Sequence, residues 1–141
     1  MKTPSKEFPL PQTWHYHRVS YGETDAMGVV YYANYLHWFE MARGTYIRER
    51  GISYVKIEEK KLFLPVIRAE CKYFQPARFD DIIYVRAAIS KWGRASFIFD
   101  YEVTSEDRSR VLTIGQTGHA CVNELGKPVR VPEWLKKMCS N

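Results

Sequence analysis

The chain has 141 residues, 45% of them apolar and 26% charged, a balance that fits one globular domain and excludes a disordered or fibrous polypeptide. Its net charge of +5 is built from 21 basic and 16 acidic residues dispersed along the chain, which speaks against a nucleic-acid module and suits a small phosphorylated ligand at least as well. Three widely spaced cysteines without a C-x-x-C argue against a disulfide framework or a zinc knuckle, and no apolar run reaches membrane-spanning length, so a reducing cytoplasm is the simplest compartment.

Residues 1–13, with three prolines and no apolar stretch of the signal-peptide kind, read as a flexible arm ahead of a single domain over 14–141. WHYHRVSY, Trp14 to Tyr21, suits a strand. The loop YGETDAMG follows, with the carboxylates Glu23 and Asp25. NYLHWFEMARGTYIRER, Asn34 to Arg50, predicts a helix: Tyr35, Phe39, Ala42 and Tyr46, and likewise Leu36, Phe39 and Arg43, recur at spacings of three and four. Asn34 is a candidate cap, an earlier start near Val30 to Tyr32 is the alternative, and Gly51 is placed as the stop. SYVKIEEK predicts a short second helix.

The remainder alternates with period two. In FLPVIRAECKY the apolar Phe63, Ile67, Ala69, Cys71 and Tyr73 oppose Arg68, Glu70 and Lys72, predicting a strand with one wet face. QPARFDD is a turn and IIYVRAAIS a strand. After KWGR, ASFIFDYEV puts Phe97, Phe99, Tyr101 and Val103 on one side. SEDRSR turns the chain into VLTIGQTGHACVN, a long strand expected to bulge at its glycines. ELGK is a further turn, and PEWLKKM predicts a short closing helix. The strands' apolar faces need a cover, and the long aromatic helix is the one large candidate, so the pattern predicts a sheet wrapped around a central helix.

Three motifs, YGETDAMGVVYYANY, PARFDD and KWGRASF, stand at intervals that carry a family likeness. From about His17 to Pro132 the chain resembles the hot-dog-fold acyl-CoA thioesterases of the hydroxybenzoyl-CoA thioesterase type, the Tol–Pal-associated branch in particular. The resemblance implies an α+β fold, with a curved antiparallel sheet of about five strands around one long helix. It implies homodimers often paired into homotetramers, and active sites at subunit interfaces. The implied substrates are coenzyme A or acyl-carrier-protein thioesters, with no metal or other cofactor. It assigns the chemistry to the second loop acid, here Asp25, and carbonyl polarisation to the backbone N–H of Tyr32 or a close neighbour. Glu23 stands where the family usually has Asp, Met27 where it has a small residue, and Tyr32 where a branch variant has His; these departures bear on substrate range more than on reaction type.

The chemistry is coherent on its own terms. A thioester carbonyl is electrophilic and its thiolate leaves well, so the site needs a nucleophile or base and a donor for the developing oxyanion. Asp25 supplies the first, and unpaired N–H groups at a helix N-terminus supply the second. Gly28 lets backbone approach the substrate. An aspartate ahead of a helix is also a common turn or capping residue. Glu23 reads as a solvated or loop-bracing acid. Glu40 is either a surface residue or a polar group reaching the acyl pocket. His15 and His17 share a strand face, but lack the helical H-x-x-x-H spacing of a hydrolase zinc site, and no metal site is expected. Lys91, Arg94 and Ser96 in KWGRAS are candidates to hold coenzyme A, the two cations through its phosphates; the alternative is a charged hairpin tip. Arg78 is a second candidate contact, or a brace of its turn through Asp80 or Asp81. Rival readings are an acyl dehydratase, which needs a histidine base, a non-catalytic binding module on the same fold, and an RNA binder. A two-fold dimer joining edge strands is expected, with Val111 to Val122 and the loop after Tyr21 near its interface.

Overall fold

The computed structural model describes residues 1–140. The period-two stretches form strands β1 (Thr13–Arg18), β2 (Val66–Tyr73), β3 (Ile82–Trp92), β4 (Ser96–Ser105) and β5 (Val111–Ala120). The helices are α1 (Asn34–Glu49), α2 (Tyr54–Glu59) and α3 (Glu133–Met138), and a single 3-10 turn covers Tyr21–Glu23. The strands make one antiparallel sheet in the order β1-β3-β4-β5-β2. This is the hot-dog architecture, with α1 as the filling.

The apolar side of β4 meets α1. Phe39 stacks on Tyr101 with ring centroids 4.2 Å apart, and Tyr46 lies edge-on to Phe99 at 5.1 Å. Phe97, Phe99, Tyr101 and Val103 are all buried, as their alternation predicts. On α1 the buried stripe is Tyr35, Trp38, Phe39, Ala42, Arg43, Tyr46 and Ile47, whereas Leu36 faces outward. Gly115 faces Phe39 across the core: a Cβ there would overlap the Phe39 ring, and the carbonyl of Glu70 closes the other side. β5 does bulge, at the extra residue Leu112 opposite Val103 and Thr104 and not at its glycines; a second irregularity lies in β2, where the extra residue Ile67 faces Gly118 and His119.

The ends of α1 follow local chemistry. Ala33 precedes the helix without a side-chain cap, and Asn34 instead donates from Nδ2 to the carbonyl of Glu23 at 2.8 Å. At the far end Gly51 adopts φ +99°, and the N–H groups of Gly51 and Ile52 close on the carbonyls of Arg48 and Ile47. Ser53 caps α2 by accepting the Lys56 N–H.

Three placements differ from expectation. β5 is an interior strand between β4 and β2, so Val111–Val122 offers no free edge; the edges are β1 and β2. The alternating apolar face of β2 is only partly covered, because β2 is added outside β5, at the sheet's margin: Cys71 packs on the core and Tyr73 meets Tyr35 of α1 with ring centroids 5.2 Å apart, but Ile67 is 65% exposed and Tyr73 45%. Residues 2–12 run along the outer face of the sheet. There Phe8 lies under the Arg86 guanidinium, 4.3 Å from its ring, and the N–H of Ser5 donates to Glu102 at 3.0 Å. Arg86 and Glu102 form a buried ion pair of 3.0 Å on that face.

Candidate active site

The loop between β1 and α1 hangs on Glu23. Its carboxylate accepts from Trp38 Nε1 at 2.6 Å, from the Ser20 N–H at 2.8 Å, and pairs with His17 Nε2 at 2.8 Å. Its carbonyl accepts from the Tyr31 N–H and from Asn34. One residue thus ties β1, the 3-10 turn and α1 together. Burial opposes its charge, but the bonds from Trp38, Ser20 and His17 outweigh burial and hold the carboxyl below its ordinary value. Glu23 is the loop-bracing acid, and its partner Trp38 could not be singled out among the many aromatics of the sequence.

Asp25 is differently placed. It is half-buried, and one carboxylate oxygen accepts the Met27 N–H at 2.8 Å while its own N–H donates to the Val29 carbonyl. Gly28 turns the chain with φ +77° and donates its N–H to the Asp25 carbonyl at 3.0 Å. The returning segment is clamped by the PARFDD turn: the Val30 N–H donates to the Ala77 carbonyl and Val29 bridges to Arg78. Asp81 accepts the backbone N–H of Arg78 at 2.9 Å, so the brace in this turn runs through main chain, and the Arg78 side chain stays exposed.

Asp25, Val29, Tyr32, Tyr35 and Tyr73 line a common cavity of about 310 Å³ at the end of β2. Tyr73 donates its hydroxyl to the Tyr32 carbonyl at 3.0 Å. Burial pushes the Tyr35 and Tyr73 phenols up, so both remain neutral donors. The Tyr32 N–H makes no hydrogen bond among the described residues. The cavity thus holds a carboxylate, a free backbone donor and neutral aromatic walls.

The other singled-out residues lie elsewhere. Lys91 ends β3, Arg94 sits in the β3–β4 turn, and Ser96 begins β4. Both cations are exposed and Ser96 is half-buried. The start of β3 adjoins the root of the Asp25 loop through Val19 and Asp81, and Lys91 lies near the other end of this 11-residue strand, a contour of roughly 30 Å at about 3.3 Å per residue. Glu40 is exposed and lines a second cavity of about 590 Å³, together with Met41, Arg43, Tyr54 and Leu64. Within one chain the predicted residues fall into two groups at opposite ends of the sheet. His15 and His17 also part company, His15 pairing with Thr45 at 2.8 Å and His17 with Glu23.

A buried polar line went unrecognised in the sequence. Arg43 donates to the Tyr101 hydroxyl at 3.1 Å, Tyr101 bonds Thr117 at 2.6 Å, Thr117 bonds His119 Nε2 at 2.8 Å, and His119 Nδ1 donates to the Leu64 carbonyl at 3.0 Å. The available signal was Arg43 itself, a cation at core spacing on an aromatic helix.

Comparison with known proteins agrees with this fold. The thioesterase-like superfamily model matches residues 19–138. The acyl-CoA thioesterase YbgC of Haemophilus influenzae is 35% identical over 122 residues, covering 84% of this chain and 88% of that one. The crystal structure of AQ1494 from Aquifex aeolicus superposes with a TM-score of 0.85 at 32% identity, over 91% of this chain and 99% of the other. Slr0204 of Synechocystis, a 1,4-dihydroxy-2-naphthoyl-CoA thioesterase, superposes with a TM-score of 0.83 at 25% identity, over 92% of this chain and 96% of its own.

Proposed function

The chain belongs to the thioesterase-like superfamily, and from that premise we propose that it hydrolyses acyl-CoA thioesters to a free carboxylic acid and coenzyme A. Acyl-carrier-protein thioesters are a second form of the same substrate. Within the family we assign it to the Tol–Pal-associated branch, on the YGETDAMG motif, and its reaction to the cytoplasm, on its three free cysteines. Among the described residues no helix is long and apolar enough to cross a membrane.

The observation that carries the reading is the convergence of Asp25 and Tyr32 on one aromatic cavity. Asp25 acts on the thioester carbonyl in one of two ways. Its oxygen attacks carbon, the coenzyme A thiolate leaves, and water opens the resulting anhydride. Alternatively it takes a proton from a water that attacks, and the thiolate leaves. In both routes negative charge grows on the carbonyl oxygen, and the Tyr32 N–H donates to it. Gly28 shapes the turn that lets this backbone approach, while Lys91 and Arg94 hold the phosphates of coenzyme A, with Ser96 beside them and Arg78 as a further contact. Glu40 borders the acyl end.

These groups meet in a two-fold dimer formed through β2. β2 runs parallel in direction to β4, so its Val66 end lies with the KWGR turn and its Tyr73 end with Asp25. Antiparallel pairing of two β2 edges brings the Tyr73 end of one protomer against the Val66 end of its partner. That places Lys91, Arg94 and Ser96 of one chain beside Asp25 of the other. The exposed Val66, Ile67 and Tyr73 then become interface.

The test is thiol release from a panel of acyl-CoAs. Wild type releases coenzyme A, and Asp25→Asn lowers turnover by about a hundredfold or more while keeping the fold. A folded Asp25→Asn of near-normal activity, or a wild type that binds but hydrolyses none of the panel, would reject the assignment.

A further inference from the structure

Arg43 is only 8% exposed, and no carboxylate among the described residues forms an ion pair with it. Burying a guanidinium without a paired carboxylate is costly unless its donors find acceptors. Its one hydrogen bond here goes to the Tyr101 hydroxyl, at 3.1 Å. That oxygen is already engaged in the line through Thr117 and His119 to the Leu64 carbonyl. The line has one consistent direction: Arg43 donates to Tyr101, Tyr101 to Thr117, Thr117 to Nε2 of His119, and Nδ1–H of His119 to Leu64. It requires neutral histidine, and burial holds His119 down at about 4. Every acceptor in the line is used; the guanidinium's other polar neighbour is the Tyr54 hydroxyl, which lines the same cavity.

Arg43 also lines the cavity of about 590 Å³ shared by Glu40, Met41, Tyr54 and Leu64. This cavity lies at the Leu64 end of β2, and the proposed two-fold sets it beside the partner's Asp25 cavity at the Tyr73 end. An acyl chain whose thioester carbonyl sits at Asp25 of one protomer would run toward Arg43 of the other. The cavity's charges apart from Arg43 are Glu40 and Glu58 against Arg48, so it favours a neutral oxygen over a second carboxylate.

We propose that Arg43 is a specificity-determining residue that receives a hydrogen-bond-accepting oxygen at the far end of the acyl group, across the subunit boundary from the reacting carbonyl. This rests on the acyl-CoA thioesterase reading. Tyr101, Thr117 and His119 act as positioning residues, holding the guanidinium at the cavity wall.

The probes are phenacyl-CoA and 4-hydroxyphenacyl-CoA, thioethers in which a methylene between carbonyl and sulfur blocks hydrolysis. Calorimetric titration of wild type should show tighter binding of the hydroxylated analogue by about tenfold or more, the scale of one charge-assisted hydrogen bond. Arg43→Gln should collapse that ratio to near one, and Arg43→Lys should retain part of it. If Arg43→Gln does not fold, Arg43→Lys decides the matter, because a cation with fewer donors should keep only part of the ratio. Equal affinity for both analogues in wild type, a ratio preserved in folded Arg43→Gln, or one undiminished in Arg43→Lys overturns the role of Arg43 while leaving thioester hydrolysis standing. A wild type that binds neither analogue but releases coenzyme A from other acyl-CoAs overturns this inference alone; one that does neither overturns the acyl-CoA reading with it.

Discussion

Glu23 and Asp25 are two residues apart and have opposite surroundings. The Glu23 carboxylate is saturated by Trp38, Ser20 and His17, whereas Asp25 has a single backbone donor and faces a cavity. The first arrangement suits an acid that holds structure and the second an acid that reacts. A Glu23→Gln substitution leaves the oxygen but puts an amide among three donors, so at least one loses its acceptor. The expected loss of stability at pH 7 is about 1.5–3 kcal/mol, read by urea unfolding. The pH dependence follows from the carboxyl being held below its ordinary 4.5: the stabilisation is full above that pH and fades as pH falls through the lower folded value. The wild-type advantage over Glu23→Gln should therefore shrink in acid; an advantage constant down to pH 3 would show that charge is not what Glu23 contributes. The sequence identified Asp25 through its motif and left Glu23 between two roles, because the donors that decide it come from β1 and α1, six residues behind and 15 ahead.

At the scale of elements, the packing of α1 on the sheet depends on small and large residues meeting. Phe39 needs the space that Gly115 leaves, and its ring then stacks on Tyr101. Gly115→Val should destabilise the fold by about 1–3 kcal/mol by overpacking. The cost should fall markedly in a Phe39→Leu background, where the space is partly restored; equal costs in both backgrounds would locate the strain at the Glu70 carbonyl instead. Period-two alternation made the strands legible, and the three- and four-residue spacing made α1 legible. Neither periodicity carries strand order. That is why a strand with an apolar face as regular as that of β2 was expected under the helix and stands at the margin, and why the bulge of β5 was expected at its glycines when it lies at Leu112 and Gly115 marks a close approach.

At the scale of the molecule, the distance between the Asp25 cavity and the KWGR turn is the decisive feature. If Asp25 is the reacting acid and Lys91 and Arg94 hold coenzyme A, groups at opposite ends of one sheet, the proposed site requires a second copy of the chain. Mixing two crippled proteins tests this. In a heterodimer of Asp25→Asn and Arg94→Ala, one site has both wild-type residues and the other neither. Unfolding and refolding an equal mixture should yield half heterodimer, and so about a quarter of wild-type activity at low substrate, from two parents that are each far less active. An unrecovered mixture, with heterodimer verified by mass spectrometry, would mean that Arg94 serves its own protomer's site.

The sequence by itself determined the elements, the family and the loop that carries the proposed reacting acid, because periodicity, turn chemistry and a contiguous loop motif are local properties. Only the tertiary structure decided that β2 is an edge, that Arg43 is a buried cation ending a polar line, and that the predicted site residues form two groups. Each of these is a relation between residues far apart in the chain: Tyr101 lies 58 positions beyond Arg43, and no local pattern encodes which strand lies beside which.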